Sequence, residues 1–218
     1  MNKTPVIAID GLAATGKGTL ARRLATHFDY AYLDTGMLYR AVGIATIRDG
    51  GDPADPVAAT KAAQGLDPAR LEVLAQDPDL RSPVGSDAAS KVGAIQAVRD
   101  ALLKFQRDFA ASPPDGKKGA VLDGRDIGTV IVPDAMVKIF VEAMPEIRAH
   151  RRFLELQAAG QNVTQAQVLA DMQERDTRDA LRAAAPTKAA DDAIVLDTSH
   201  LNADEAFEAA LAIVGQKE

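Results

Sequence analysis

The chain contains no cysteine and no tryptophan, and only 4% of its residues are aromatic. The lack of cysteine removes disulfides, thiolate metal sites and cysteine nucleophiles at once. Histidine is nearly as scarce. His27, His150 and His200 lie far apart and show no metal-ligand spacing. No apolar run approaches the roughly 18 residues of a membrane span, and the N-terminus carries no apolar signal segment. A membrane partner is therefore not expected, and a cytoplasmic setting is. An excess of basic residues is missing too: 25 Lys and Arg stand against 31 Asp and Glu, a formal net charge of -6. Nucleic acid is not expected as a partner. What remains is a chain of 218 residues, 47% hydrophobic. That is enough for one sizeable α/β domain with a small insertion, or for two small domains.

The most informative stretch is Gly11-Leu12-Ala13-Ala14-Thr15-Gly16-Lys17-Gly18-Thr19. Gly11, Gly16 and Lys17 fit the phosphate-binding loop pattern G-x-x-x-x-G-K. Val6–Ile9 before it is apolar and β-branched, as a buried parallel strand should be. Leu20, Leu24 and Phe28 after it fall at helical spacing. A loop between strand and helix can turn its backbone N–H groups onto phosphate oxygens, and the helix N-terminus adds positive charge. Gly18 stands where the general pattern has a magnesium-binding Ser or Thr, and Thr19 follows it.

Five apolar segments read as strands of one sheet: 6–9, 31–33, 120–122, 136–141 and 194–196. Helical patterns cover 18–28, 37–48, 89–110, 146–159, 165–184 and 203–214. Alternation of this kind predicts a three-layer α/β fold, a five-stranded parallel sheet with helices on both faces. Ligands of such sheets bind beyond the strand C-termini, where Asp10-Gly11, Asp34-Thr35-Gly36 and Asp123-Gly124 fall. Residues 49–86 carry repeated Gly and Pro. They read as an insertion at the sheet edge, with only Arg70–Leu74 strand-like.

Three further constellations carry chemistry. In Asp34-Thr35-Gly36…Tyr39-Arg40, Thr35 can cap a helix starting near Met37, and Arg40 lies about one turn in. In Val121-Leu122-Asp123-Gly124-Arg125-Asp126, a strand ends in a carboxylate suited to orienting metal-bound water. Arg125 there can grip a phosphate with two hydrogen bonds, and Asp126 can accept from a ligand amino group. Last, Arg175, Asp179 and Arg182 at i, i+4 and i+7 share one helical face. A simple triphosphatase needs one phosphate cradle. This second set of arginines implies a second phosphate-bearing ligand.

With these residues in view, the chain resembles the nucleoside monophosphate kinases, whose loop reads G-x-x-x-x-G-K-G-T, and more narrowly the cytidylate kinases of bacteria. The runs that carry the likeness extend from the first strand to the last. They are Gly11–Thr19, Asp34-Thr35-Gly36…Tyr39-Arg40, Asp123-Gly124-Arg125-Asp126-Ile127-Gly128-Thr129, Ala149-His150-Arg151-Arg152 and Glu174-Arg175-Asp176…Arg178-Asp179…Arg182. Leu12 and Ala13 stand where the family more usually has Pro-Ser, a change in a loop that works through its backbone.

The resemblance implies transfer of the terminal phosphate of ATP, with magnesium, to CMP and to dCMP as a second acceptor. It implies that residues 11 to 19 hold the ATP phosphates, with Lys17, Arg125 and Arg182 serving catalysis. Thr35, Arg40, Arg125 and Arg182 would address the acceptor phosphate. Ser90, Arg99 and Asp126 would read cytosine, and Arg175 and Asp179 the ribose. Residues 150–164 would form a lid bearing Arg151 and Arg152, and 49–86 an acceptor-side insertion. Asp123 is a candidate for holding the metal through water. A monomer is expected. The rivals are a UMP, AMP or shikimate-type kinase, which would share the loop but differ in the second site, and a non-catalytic nucleotide-binding module. A GTPase would carry an Asn-Lys-x-Asp run, which the sequence lacks.

Overall fold

The computed structural model describes residues 4–67 and 71–216. Among them, β1 (Val6–Gly11), β2 (Ala31–Asp34), β3 (Ala120–Gly124), β4 (Val137–Glu142) and β5 (Ile194–Asp197) form one sheet in the order β2-β3-β1-β4-β5. Every pairing is parallel. The central strand β1 shows why so short an apolar run suffices. Strand side chains alternate between faces, and both faces are covered. Ile7 and Ile9 pack with Leu20 and Leu24 of α1 (Lys17–Phe28) and with Ala210, Ile213 and Val214 of α10 (Ala203–Gly215). Val6 and Ala8 pack on the opposite side with Leu122, Ile127 and Ile131, and with Ala110 of α7 (Gln96–Ala111). The five strands and the two-sided helical cover are those the sequence predicted.

The insertion differs from its prediction. It is helical, with α3 (Pro56–Gln64), α4 (Leu71–Leu74), α5 (Pro78–Arg81) and α6 (Pro83–Gly93). The strand expected at Arg70–Leu74 is a single helical turn over its described part; Pro68 and Arg70 lie outside the described residues. The prolines that read as breakers are helix starters. Pro56, Pro78 and Pro83 each occupy the first helical turn, where the missing N–H costs nothing. Asp55, Asp77 and Ser82 before them cap the free N–H groups of Val57 and Ala58, Asp79 and Gly85. The insertion packs through Ala59, Ala63, Ala89 and Val92 onto Leu38 and Val42 of α2 (Thr35–Arg48) and Val98 and Leu102 of α7.

Three helix boundaries also move. The helix expected over 89–110 is two, because the chain turns at Ala94-Ile95 between α6 and α7. Asp34 caps α2 by accepting from Met37 N at 3.2 Å, so Thr35 is the first helical residue and not the cap. Helix α9 (Gln165–Leu181) stops before Arg182, which is extended at φ -60° and ψ 139°. Arg182 therefore leaves the shared face predicted for it with Arg175 and Asp179.

Gly43 sets the distance between α2 and the insertion. A Cβ there would lie 2.7 Å from Ala88 Cβ and 2.9 Å from its carbonyl carbon. Gly→Ala inside a helix ordinarily gains about 1 kcal/mol. Gly43→Ala should instead destabilise by about 1–2 kcal/mol, because overpacking costs about 1–3 kcal/mol. A urea midpoint at or above that of the parent chain would refute this close packing.

Candidate active site

A cleft of about 920 Å³ opens at the C-terminal ends of β1, β2 and β3. Of the residues that the resemblance assigns to ATP, CMP, the lid arginines or the metal, all but Gly11, Leu12, Thr15 and Arg151 line it. One wall is the loop between β1 and α1. Gly11 has φ +150°, and a Cβ there would come within 2.2 Å of Val141 O, so no other residue fits. Ala14 and Gly16 are left-handed, at φ 58° and 88°. Thr15 is buried, with its hydroxyl on Leu12 O at 3.2 Å. Lys17 Nζ reaches Leu12 O at 3.5 Å. Burial, with Arg125 and Arg175 nearby, draws the pKa of Lys17 down to about 8, against the pull of Asp123 and Asp34.

The floor is the end of β3. Asp123 is buried beside Lys17 and accepts from Tyr32 Oη at 2.9 Å. Burial and then Asp34 push its carboxyl above the usual range, and Lys17 opposes them. Thr35 Oγ1 donates to Asp123 O at 2.7 Å, so this hydroxyl ties α2 to the floor. Arg125 and Asp126 follow in sequence but do not pair with each other. Arg125 Nε lies 3.6 Å from Asp179 Oδ2. Asp126 is bound to Arg99 and faces Arg182 Nη2 at 3.8 Å.

The far wall gathers further cations. Arg175 Nε stands 3.7 Å from Asp179 Oδ2, and Ser90 Oγ donates to Asp179 Oδ1 at 2.7 Å. Burial pushes Asp179 up, but Arg175, Arg125 and Ser90 hold it below the usual carboxylate range. The break between α6 and α7 also contributes, since the freed Gly93 carbonyl accepts from Arg99 at 3.3 Å and Arg182 at 3.5 Å. Arg40 donates to Leu80 O at 2.7 Å and Ser86 Oγ at 3.0 Å. Burial lowers Arg40 to about 10 and Arg175 to about 9. Arg125 Nε, Arg175 Nε and Arg182 Nη2 are buried N–H groups that no hydrogen bond satisfies. Buried donors are rarely left so, and three on guanidinium groups facing one cleft mark an anion site.

Residues 7–216 match the family model for cytidylate kinase. The chain belongs to the cytidylate kinase family. It is 59% identical over 212 residues to the cytidylate kinase of Rhodospirillum rubrum, covering 97% of this chain and 98% of that one. It is 54% identical over 209 residues to that of Rhodopseudomonas palustris, covering 96% and 95%. Among solved structures, an uncharacterised protein from Eubacterium ventriosum has a TM-score of 0.54 at 15% identity, over 97% of this chain and 98% of that one. A gluconokinase from Sinorhizobium meliloti has a TM-score of 0.50 at 13% identity, over 99% and 94%. At such identities the likeness is one of fold.

Within this family member the three arginines of α8 (Pro145–Ala158), which the sequence presents as one patch, have three different surroundings. Arg152 faces the cleft and donates to Arg81 O at 3.0 Å on the insertion. Arg151 turns away from it, onto Thr198 O at 2.7 Å and Thr15 O at 3.5 Å. Arg148 is buried. It joins Ala13 O of the loop at 3.3 Å, Ala143 O at 3.0 Å and Asp176 of α9 at 2.8 Å. Asp10, on β1, was also missed as a site residue. It accepts from Ile127 N at 2.7 Å and Gly128 N at 2.8 Å, and burial raises its pKa to about 7. It clamps the turn that carries Asp126. Neither role has a local sequence signature, because the partners that define it, Ala13 and Asp176 for Arg148 and Ile127 and Gly128 for Asp10, lie far along the chain.

The lowered Lys17 pKa gives a signed prediction. An ATP phosphate beside Lys17 raises that pKa, so above about pH 8 binding must take up a proton. ATP affinity measured without metal should fall with pH from 8 upward, by at most about tenfold per unit. Lys17→Met should bind ATP weakly at every pH and lose this slope. The ligand-free fold responds in the opposite sense. Its stability should rise between pH 8 and 10.5, because only the unfolded chain still holds the Lys17 proton there. A metal-free affinity that stays level from pH 7.5 to 9.5 would remove Lys17 from the phosphate site.

Proposed function

We propose that this chain transfers the terminal phosphoryl group of ATP to CMP, giving ADP and CDP, with dCMP as a second acceptor. The observation that carries the reading is one cleft with two cation sets. Lys17 sits on the loop side, and the unsatisfied N–H groups of Arg125, Arg175 and Arg182 sit opposite. One phosphorylated ligand has no use for both. The arrangement suits a donor and an acceptor held with their phosphates facing.

The nucleophile is an acceptor phosphate oxygen. Its second pKa is about 6, so it is largely ionised at neutral pH and needs no general base. Catalysis is then positioning and charge neutralisation. Arg40, Arg125 and Arg182 orient the acceptor phosphate, and the loop from Gly11 to Thr19 with Lys17 orients the donor. Asp126, fixed by Arg99 and Arg182, accepts from the exocyclic amine of cytosine, and Arg99 donates to the ring nitrogen and carbonyl. Ser90 and Arg175 hold Asp179 for the ribose. The segment 150–164 closes as a lid and excludes water. Within it Arg152 meets the transferred group, while Arg151 steadies the donor loop through Thr15 O.

Magnesium fits Asp123. Glycine at 18 keeps a side chain from crowding that carboxylate, since a Cβ there would lie only 3.2 Å from Asp123 Oδ2. Among the described residues no cluster of three His, Cys, Asp or Glu side chains could hold a metal alone. That suits an ion that keeps water and substrate phosphates as ligands. Asp123 would hold it through water, and when bound it would supply neutralisation of the charge that develops on the ATP phosphates. No described helix is long and apolar enough to cross a membrane. The partners of this reading are ATP and CMP or dCMP, its setting is cytoplasmic, and the chain acts as a monomer.

The testing experiment is ADP release from ATP with CMP, dCMP, UMP, AMP, GMP or no acceptor. CMP and dCMP should be turned over, and ATP alone should scarcely be hydrolysed. Asp126→Ala should raise KM for CMP about 10- to 100-fold, the scale of a lost charge-assisted hydrogen bond, and leave KM for ATP within about twofold. Equal losses for both substrates would make Asp126 structural. Turnover confined to a different nucleotide would retain the donor site and overturn the cytosine readers.

A further inference from the structure

The general phosphate-binding loop follows its lysine with a hydroxyl residue, and this chain has Gly18 there. The space beside Gly18 is shared by two groups from elsewhere in the sheet. A Cβ on Gly18 would meet Asp123 Oδ2 at 3.2 Å and Tyr32 Oη at 3.9 Å. Tyr32 comes from β2, the strand that pairs with β3 in the register Tyr32↔Val121 and Asp34↔Asp123. Its hydroxyl donates to the same Asp123 Oδ2 at 2.9 Å.

Both ends of Tyr32 are fixed. Its ring packs against the core formed by β1, α1 and α10, and Arg22 of α1 lies over the ring at 5.3 Å from the centroid. A side chain held in this way cannot swing away from the carboxylate without losing packing. Asp123 is buried and has Asp34 as its lateral neighbour in the sheet. A neutral donor on Oδ2 fixes the carboxylate rotamer.

We propose that Tyr32 is the positioning residue of Asp123. Its hydroxyl supplies from the neighbouring strand the fixed O–H that the loop lacks at Gly18, and so holds the carboxylate ready for the hydrated metal that accompanies ATP. The inference rests on the reading of Asp123 given under Proposed function. Groups that orient a metal-holding side chain typically contribute about 10–100-fold to metal affinity or activity.

The test uses Tyr32→Phe, which removes one oxygen and retains the ring, with Asp123→Asn and the double variant. Each is titrated with a fluorescent ATP analogue with and without magnesium chloride. The readout is the ratio of the two affinities, beside thermal melting and KM for CMP. In Tyr32→Phe the metal-free affinity and KM for CMP should stay within about twofold. The gain from magnesium should shrink about tenfold. Asp123→Asn should lose that gain as well, and adding Tyr32→Phe to it should change nothing further. Two results overturn the proposal: an undiminished magnesium gain in Tyr32→Phe, or an equal loss from Tyr32→Phe when Asp123 is already Asn. A full magnesium gain in Asp123→Asn overturns the metal reading of Asp123 itself, and the proposal falls with it. ATP binding in all three variants would still stand in that case, so the two failures are distinguishable.

Discussion

Everything at this cleft follows from positive charge buried before its ligands arrive. Lys17, Arg40 and Arg175 are each drawn below their ordinary pKa, and burial is the largest cause in every case. The fold tolerates them because carboxylates stand nearby: Asp123 and Asp34 for Lys17, Asp34 for Arg40, and Asp179 for Arg175. Arg99 binds Asp126 directly, but three other guanidinium groups are held loosely by Asp126 and Asp179. Separations of 3.6, 3.7 and 3.8 Å from Arg125, Arg175 and Arg182 exceed a hydrogen bond. They restrain each guanidinium and leave one of its nitrogens without a hydrogen bond. Tighter pairs would be more stable in isolation and would have to be broken by each incoming phosphate. Preorganised but unsatisfied donors are the arrangement that electrostatic catalysis favours.

The sheet explains how groups so far apart in sequence are held this closely. β1 passes directly into the donor loop at Gly11, and one residue earlier Asp10 clamps the turn that carries Asp126. Donor and acceptor sites therefore share one central strand. β3 beside it ends in Asp123, and Thr35 at the start of α2 bonds back to the Asp123 carbonyl. Arg148 closes the ring from the other side, joining the loop carbonyl of Ala13 to α9 through Asp176. A shift of any of these elements moves both sites together.

The parts legible in the sequence were those encoded locally. The loop announces itself by its glycines and its lysine, and the strands by short β-branched runs ending in Asp. The insertion was misread because Asp55-Pro56, Asp77-Pro78 and Ser82-Pro83 carry two meanings. The same dipeptides stop an element or start a helix, and the choice depends on whether apolar partners such as Leu38 and Val42 wait on another helix. Arg182 shows the complementary limit. Helical periodicity placed it on the face of Arg175 and Asp179, yet it lies beyond the helix end, where Arg182 Nε donates to Ala185 O at 2.7 Å. The arginines at 148, 151 and 152 look alike in sequence because the contacts that tell them apart, to Ala13 and Asp176, to Thr198, and to Arg81, lie on other elements.

Helices α8 and α9 on one side of the cleft already touch the insertion on the other. Arg152 of α8 reaches Arg81 O and, at 3.4 Å, Ser86 Oγ. Arg178 of α9 bonds Asp87 of the insertion at 2.8 Å. Ser86 Oγ is also the partner of Arg40 at 3.0 Å. One hydroxyl is therefore shared by a guanidinium on the acceptor side and one on the lid side. At Ser86 both meet a neutral oxygen, while Arg152 also pairs with Glu155 at 3.1 Å. A phosphate offers charged oxygens, whose hydrogen bonds are roughly twice as strong. Under the proposed assignment of the cleft, a phosphate there competes with Ser86 for both arginines, so the two walls are joined through that hydroxyl without any rigid coupling.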